Sequence, residues 1–218
     1  MTAVTRRLSA LTPGRRLAVA GVAALLSVGA GVALGQGAAP ALVPEQLAGP
    51  ARPAFPPAPG FTLPYRDPEA GIQLSYPTSW QRLDPDAKDV DLLAVDGEGA
   101  SLLMRTTSLS SAVKPGELDA ARELLQPKLS GVDGVELLAP ATRTTLGGLE
   151  GWWYLYAFED RASGRRGIHS HYFLFDGDRM ITLVFQATPA QRFRALAPVF
   201  DQIAGSFRQR SPSTDDAE

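Results

Sequence analysis

The sequence contains no cysteine, which excludes disulfides and any lipid anchor attached through a thiol, whatever compartment the chain occupies. Histidine is almost as scarce. Only His169 and His171 are present, so a metal centre or imidazole base has two residues to draw on. No Gly-x-Ser-x-Gly elbow, His-Glu-x-x-His pair or phosphate-cradling glycine loop occurs in the globular part. The formal net charge is −2, and several arginines belong to the N-terminus, so the folded part is more acidic than the whole. A nucleic-acid binder carries a basic surface, so that partner is not expected. With no catalytic constellation and no cofactor motif, the chain reads as a non-enzyme that uses no cofactor.

What is present begins with the leader. Arg6, Arg7, Arg15 and Arg16 precede an apolar run over 17–35, and no acidic side chain occurs before Glu45. A hydrocarbon core about 30 Å thick needs roughly 20 apolar residues at about 1.5 Å rise each, so this run is just long enough to cross once. Leu17, Leu25 and Leu26 are its greasy contacts, and Ser27, Gly31 and Gly35 give one small face suited to close helix packing. The arginines stay cytoplasmic by the positive-inside rule, which places the C-terminal part outside the cytoplasm. The alternative is a cleaved export signal, with Ala33-Leu34-Gly35 as the small-x-small site and a secreted or periplasmic product. Thr5-Arg6-Arg7-Leu8 also resembles a twin-arginine signal.

The stretch 36–64 holds eight prolines among Ala and Gly. Such composition favours extended conformations and cannot bury enough apolar surface to form a core, so it reads as a linker. From 65 to 208 the composition is globular, enough for one domain that needs no metal or disulfide to fold. The polar tail 209–218 is expected to fray.

Within the domain, alternation over 71–76 predicts a strand that ends at Pro77 and Trp80. Strands are expected at 91–95 and 100–107, joined by the turn Asp96-Gly97-Glu98-Gly99. Leu118, Ala121, Leu125 and Leu129 recur at helical spacing, which predicts a helix over 116–126 ended or kinked by Pro127. Further strands are expected at 135–145, 151–158, 168–175 and 179–187, the last three linked by hairpins. Trp152-Trp153-Tyr154-Leu155-Tyr156 is bulky on both faces, as a central strand would be. A final helix begins at the Thr188-Pro189-Ala190-Gln191 capping box and carries Phe193, Leu196, Phe200, Ile203 and Phe207 on one face, with a kink expected at Pro198. Helices on a mostly antiparallel sheet make the class α+β.

Few side chains suggest chemistry. His169 and His171, at i and i+2, share one strand face, and a metal could bridge them if a carboxylate such as Glu159 joined. Otherwise they are ordinary, partly exposed strand residues. A serine triad would use Ser170 beside a histidine. Asp176 and Asp178 read as hairpin-turn residues. Arg161, Arg165 and Arg166 cluster at one hairpin tip, where they offer contact to an acidic partner or anionic headgroup. Trp152, Trp153, Tyr154 and Tyr156 either line a sugar or lipid groove or fill the core.

The strand followed by Pro-x-x-Trp in Gly71-Ile72-Gln73-Leu74-Ser75-Tyr76-Pro77-Thr78-Ser79-Trp80 resembles the start of domains in the PsbP-like superfamily, which groups PsbP-type, Mog-type and DcrB-type proteins. Ser101-Leu102-Leu103-Met104-Arg105, the strand 148–156 and Ile203-Ala204-Gly205-Ser206-Phe207 extend the likeness over nearly all of 65–208. The resemblance implies an α/β/α sandwich around an antiparallel sheet. It also implies a binding or accessory role, here in the bacterial cell envelope with an envelope protein or component as partner. Several bacterial members are anchored through a lipidated cysteine; this chain has none, so its apolar run takes over that part.

Overall fold

The computed structural model describes residues 62–84, 89–160 and 163–209. The apolar run with Leu17, Leu25, Leu26, Gly31 and Gly35 lies outside the described residues, as do Arg161 and most of the tail. Among the described residues no helix is long and apolar enough to cross a membrane.

The order of elements is β1 (Thr62–Asp67), β2 (Ile72–Pro77), β3 (Gln81–Leu83), β4 (Leu92–Val95), β5 (Ala100–Ser108), α1 (Leu118–Ser130), β6 (Glu136–Leu137), β7 (Thr142–Leu146), β8 (Leu149–Asp160), β9 (Arg165–Asp176), β10 (Arg179–Ala187), α2 (Phe193–Ser206) and β11 (Arg208–Gln209). Short 3-10 turns, Pro115–Glu117 and Ala190–Arg192, lead into the two helices. The large sheet runs β3-β4-β5-β10-β9-β8-β6, with β7 also on β8, and its pairings are antiparallel. A second sheet, β1-β2-β11, brings the start and end of the described domain to either side of β2. The protein is therefore α+β, as expected.

Alternation sorts the side chains into two layers. Leu102, Met104, Leu155, Leu174, Ile181, Leu183 and Phe185 point to the face covered by α2 and the small sheet, where they meet Phe193, Phe200, Ile203, Leu74 and Trp80. Phe200 is the hub of that layer, stacked on Phe185 at 5.3 Å and edge-on to Trp80 at 6.4 Å. On the other face Trp152, Tyr154, Tyr156, Phe173, Phe175 and Met180 pack beneath Leu118, Ala121, Leu125 and Leu129 of α1. Trp152 fastens the two, donating from Nε1 to the Leu118 carbonyl at 2.8 Å.

Several expectations are corrected in detail. α1 passes through Pro127 to Ser130; proline removes one hydrogen bond near the helix end, and burial of Leu129, 1% exposed, keeps the last turn wound. The stretch 135–145 is two short strands, broken by Ala139-Pro140, because proline has no N–H for the ladder. β8 is buried on both faces but is not central: β9 and β10 hold the middle, and β6 and β7 cover its outer edge. Thr188 does not cap the last helix. Its hydroxyl accepts from Gln186 Nε2, its N–H donates to the Gly99 carbonyl, and the helix begins only at Phe193. β1 also takes in Leu63 and Pro64, the end of the Pro-rich stretch.

Candidate functional site

The two histidines sit on β9 on the side of the sheet covered by α1. The β8–β9 register places Tyr156 opposite His169 and Tyr154 opposite His171, all on that face. The Tyr156 hydroxyl is shared between His169 Nδ1 at 3.0 Å and His171 Nδ1 at 2.9 Å. His169 Nε2 meets Gln186 Oε1 at 2.9 Å, and Gln186 Nε2 in turn donates to the Thr188 hydroxyl at 3.2 Å. The rings are wedged between aromatics, His169 against Phe158 and His171 against Phe173, each at 4.1 Å. His169 is half-buried, as a partly exposed strand residue is, whereas His171 is fully buried.

Burial holds both imidazoles neutral. His169 is pushed down to about 4 by desolvation, opposed by its bond to Gln186, and His171 lies well below its ordinary value through desolvation with His169 and Arg105 nearby. Neutrality then fixes every proton in the chain of bonds. Gln186 Oε1 can only accept, so His169 Nε2 carries the hydrogen and its Nδ1 is a bare lone pair. That lone pair takes the single proton of the Tyr156 hydroxyl. The phenol oxygen is left to accept from His171 Nδ1–H, and His171 Nε2 is therefore a bare acceptor. It has no partner among the described residues.

This arrangement leaves little for a metal. Three of the four imidazole nitrogens are engaged, and no cluster of three or more His, Asp or Glu suited to a metal occurs among the described residues. Ser170 is on the opposite face of β9 and accepts from Trp153 Nε1 at 2.8 Å, so it forms no triad with its neighbours. Asp176 pairs with Arg179 and accepts from Gln209 Nε2 at 2.7 Å, which ties the last strand down.

The arginine cluster is dispersed in a different way. Arg166 pairs with Glu136 and stands opposite Glu159, and Arg165 stands opposite Asp160. Arg166 lines an open groove with Gly134, Glu136, Phe158 and Glu159, whose charges are mixed rather than basic. Trp152, Tyr154 and Tyr156 fill the core, and Trp153 is half-buried beneath the α2 layer.

Sequence reasoning missed Arg105, Thr182 and Gln186. Arg105 is 3% exposed on β5 and meets Asp89 at 3.2 Å, and Thr182 is fully buried opposite it on β10. The available signal was a charged or polar residue in the inward phase of an otherwise apolar strand.

The described residues thus define a class: an α+β domain with helices on both faces of an antiparallel sheet and a small second sheet that joins its first and last strands. The particular fold is one that cyanobacterial PsbP and LpqN also adopt. Over 74% of this chain it matches all of cyanobacterial PsbP from Synechocystis sp. PCC 6803, with a TM-score of 0.51 at 19% identity. Over 69% it matches 86% of LpqN from Mycobacterium tuberculosis, with a TM-score of 0.52 at 14% identity. A Bacteroides thetaiotaomicron protein is matched at a TM-score of 0.47 and 12% identity, and the chain spans about half of its length. No protein-family model and no curated relative matches the sequence.

Proposed function

We propose that this protein is a non-catalytic binding or accessory module of the bacterial cell envelope, held at the membrane by residues 17–35 with its folded domain outside the cytoplasm. The observation that carries the reading is the leader: an arginine-flanked apolar run of spanning length followed by a proline-rich spacer and one domain. The fold agrees with this setting, since LpqN, which shares it, is described as involved in cell envelope biogenesis. The occupation of the histidine nitrogens by Tyr156 and Gln186 favours a binding role over metal-assisted catalysis. The partner is an envelope protein or component, and Arg161, Arg165 and Arg166 are the residues proposed to meet it, Arg166 from the groove that it lines.

Cross-linking in native membranes, with the captured species identified, tests the partner. Fractionation with protease added from outside the cytoplasmic membrane tests the placement. Membrane-bound protein whose domain is digested in spheroplasts supports the reading; a soluble cytosolic pool overturns it.

A further inference from the structure

On the face beneath α1, four side chains carry buried polar atoms with no partner: Arg105 through Nε and Nη1, Thr182 through its hydroxyl, His171 through Nε2 and Tyr154 through its hydroxyl. They are neighbours. Arg105 on β5 is paired with Thr182 on β10, Thr182 is diagonal to His171 on β9, and His171 is paired with Tyr154 on β8. None is more than 3% exposed. Burying such a group unpaired is costly relative to water, and a charged one more so, so four in a row across the sheet call for polar partners.

The chemistry of the four selects that partner. Arg105 can only donate and the neutral His171 Nε2 can only accept, while the two hydroxyls can do either. A cation would face the Arg105 guanidinium. An anion would face Asp89, paired with Arg105 at 3.2 Å, and Asp91, whose carboxyl also feels Arg105. A small neutral molecule that donates and accepts satisfies all four. We propose that this seam is an internal site for water, with at least one ordered molecule donating to His171 Nε2 and accepting from Arg105 or a neighbouring hydroxyl. Globular proteins hold roughly one buried water per 27 residues, each with about three polar partners, and the seam supplies such a set. The water extends the chain of bonds Thr188–Gln186–His169–Tyr156–His171 toward Arg105 and Asp89, joining β10, β9, β8 and β5 through one polar network.

The test is nitrogen and water NMR on the full-length protein labelled at histidine. His171 is expected to carry its proton on Nδ1, with Nε2 unprotonated and hydrogen-bonded, and the His171 and Tyr154 ring protons should show cross-relaxation to long-lived water. Thr182→Val and Arg105→Met should weaken those cross-peaks. Should either variant fail to fold, the wild-type cross-peaks alone decide. A proton on His171 Nε2, or no water contact at either ring, overturns the proposal. So does a His171 shift that saturates on addition of zinc or chloride, since the seam would then hold an ion.

Discussion

At the scale of single residues, the consequence of the buried histidines is a dependence of stability on pH. Above pH 6.5 both folded and unfolded chains keep His169 neutral, and its contribution is complete. Between 6.5 and about 4 the unfolded chain binds a proton that the folded chain refuses, so stability falls with pH through that window. A depression of this size corresponds to something on the order of 3 kcal/mol, and His171 acts in the same direction. Asp91 opposes them at the acid end, because burial raises its carboxyl. Urea denaturation at pH 7 and pH 5 should show a lower midpoint at pH 5 with an unchanged slope; equal midpoints would contradict the burial argument. Tyr156→Phe is the sharper probe. It removes the one hydroxyl that serves both Nδ1 atoms and leaves two buried groups unpaired, an expected loss of about 2–5 kcal/mol in chemical denaturation. A loss below 0.5 kcal/mol would mean that the relay carries no stability.

At the scale of elements, the β8–β9 pair is the least tolerant part of the sheet. Gly151 lies against the backbone of Phe173, and a Cβ there would stand 1.9 Å from the Phe173 carbonyl oxygen. Gly151→Ala must part the two strands, so it should lower the melting temperature by well over the few degrees of a surface change, or abolish soluble expression. Phe200→Ala opens the opposite layer, where Phe200 meets Phe185, Trp80 and Phe193, with an expected cost of about 3–5 kcal/mol. The elements themselves were legible where one rule acted alone: alternation in β2, apolar and β-branched content in β5 and β10, and helical spacing in α1 and α2. They were blurred where two rules competed. Pro127 argued for a stop and Leu129 for another turn, and burial decided. Thr188 was free to cap a helix on local grounds but is engaged by Gln186, two residues back on β10, and by Gly99, distant in the sequence. The site was legible only as a pair of histidines on one face. Their link to Tyr156 depends on a register in which 156 faces 169, and a hairpin slipped by one residue would turn Tyr156 to the other face. No local signal fixes that register.

At the scale of the whole molecule, the small sheet is where the described domain begins and ends. β1 enters it at Thr62, opposite Pro77, and β11 leaves it at Gln209, opposite Ile72, so the first and last described strands flank β2 in one small sheet. The small sheet is fastened to the rest of the domain through its own residues: Tyr65 is buried and donates to the Asp91 carbonyl at 3.1 Å, and Phe207 is fully buried ahead of β11. Anchoring and folding should therefore separate at β1. On the proposed anchoring, deleting residues 1–35 is expected to move the protein out of the membrane fraction with its melting temperature unchanged within about 2 °C, because the described residues 62–209 supply two complete apolar layers. Deleting residues 1–67 removes Tyr65 and bares one edge of β2, and a loss of about 2–4 kcal/mol is expected in chemical denaturation from the burial of that ring and its strand. Fractionation and melting curves on the two truncations give both readouts. If the first truncation stays with the membrane, the domain itself binds there and residues 17–35 are not what holds it; if the first truncation unfolds, the leader is part of the fold.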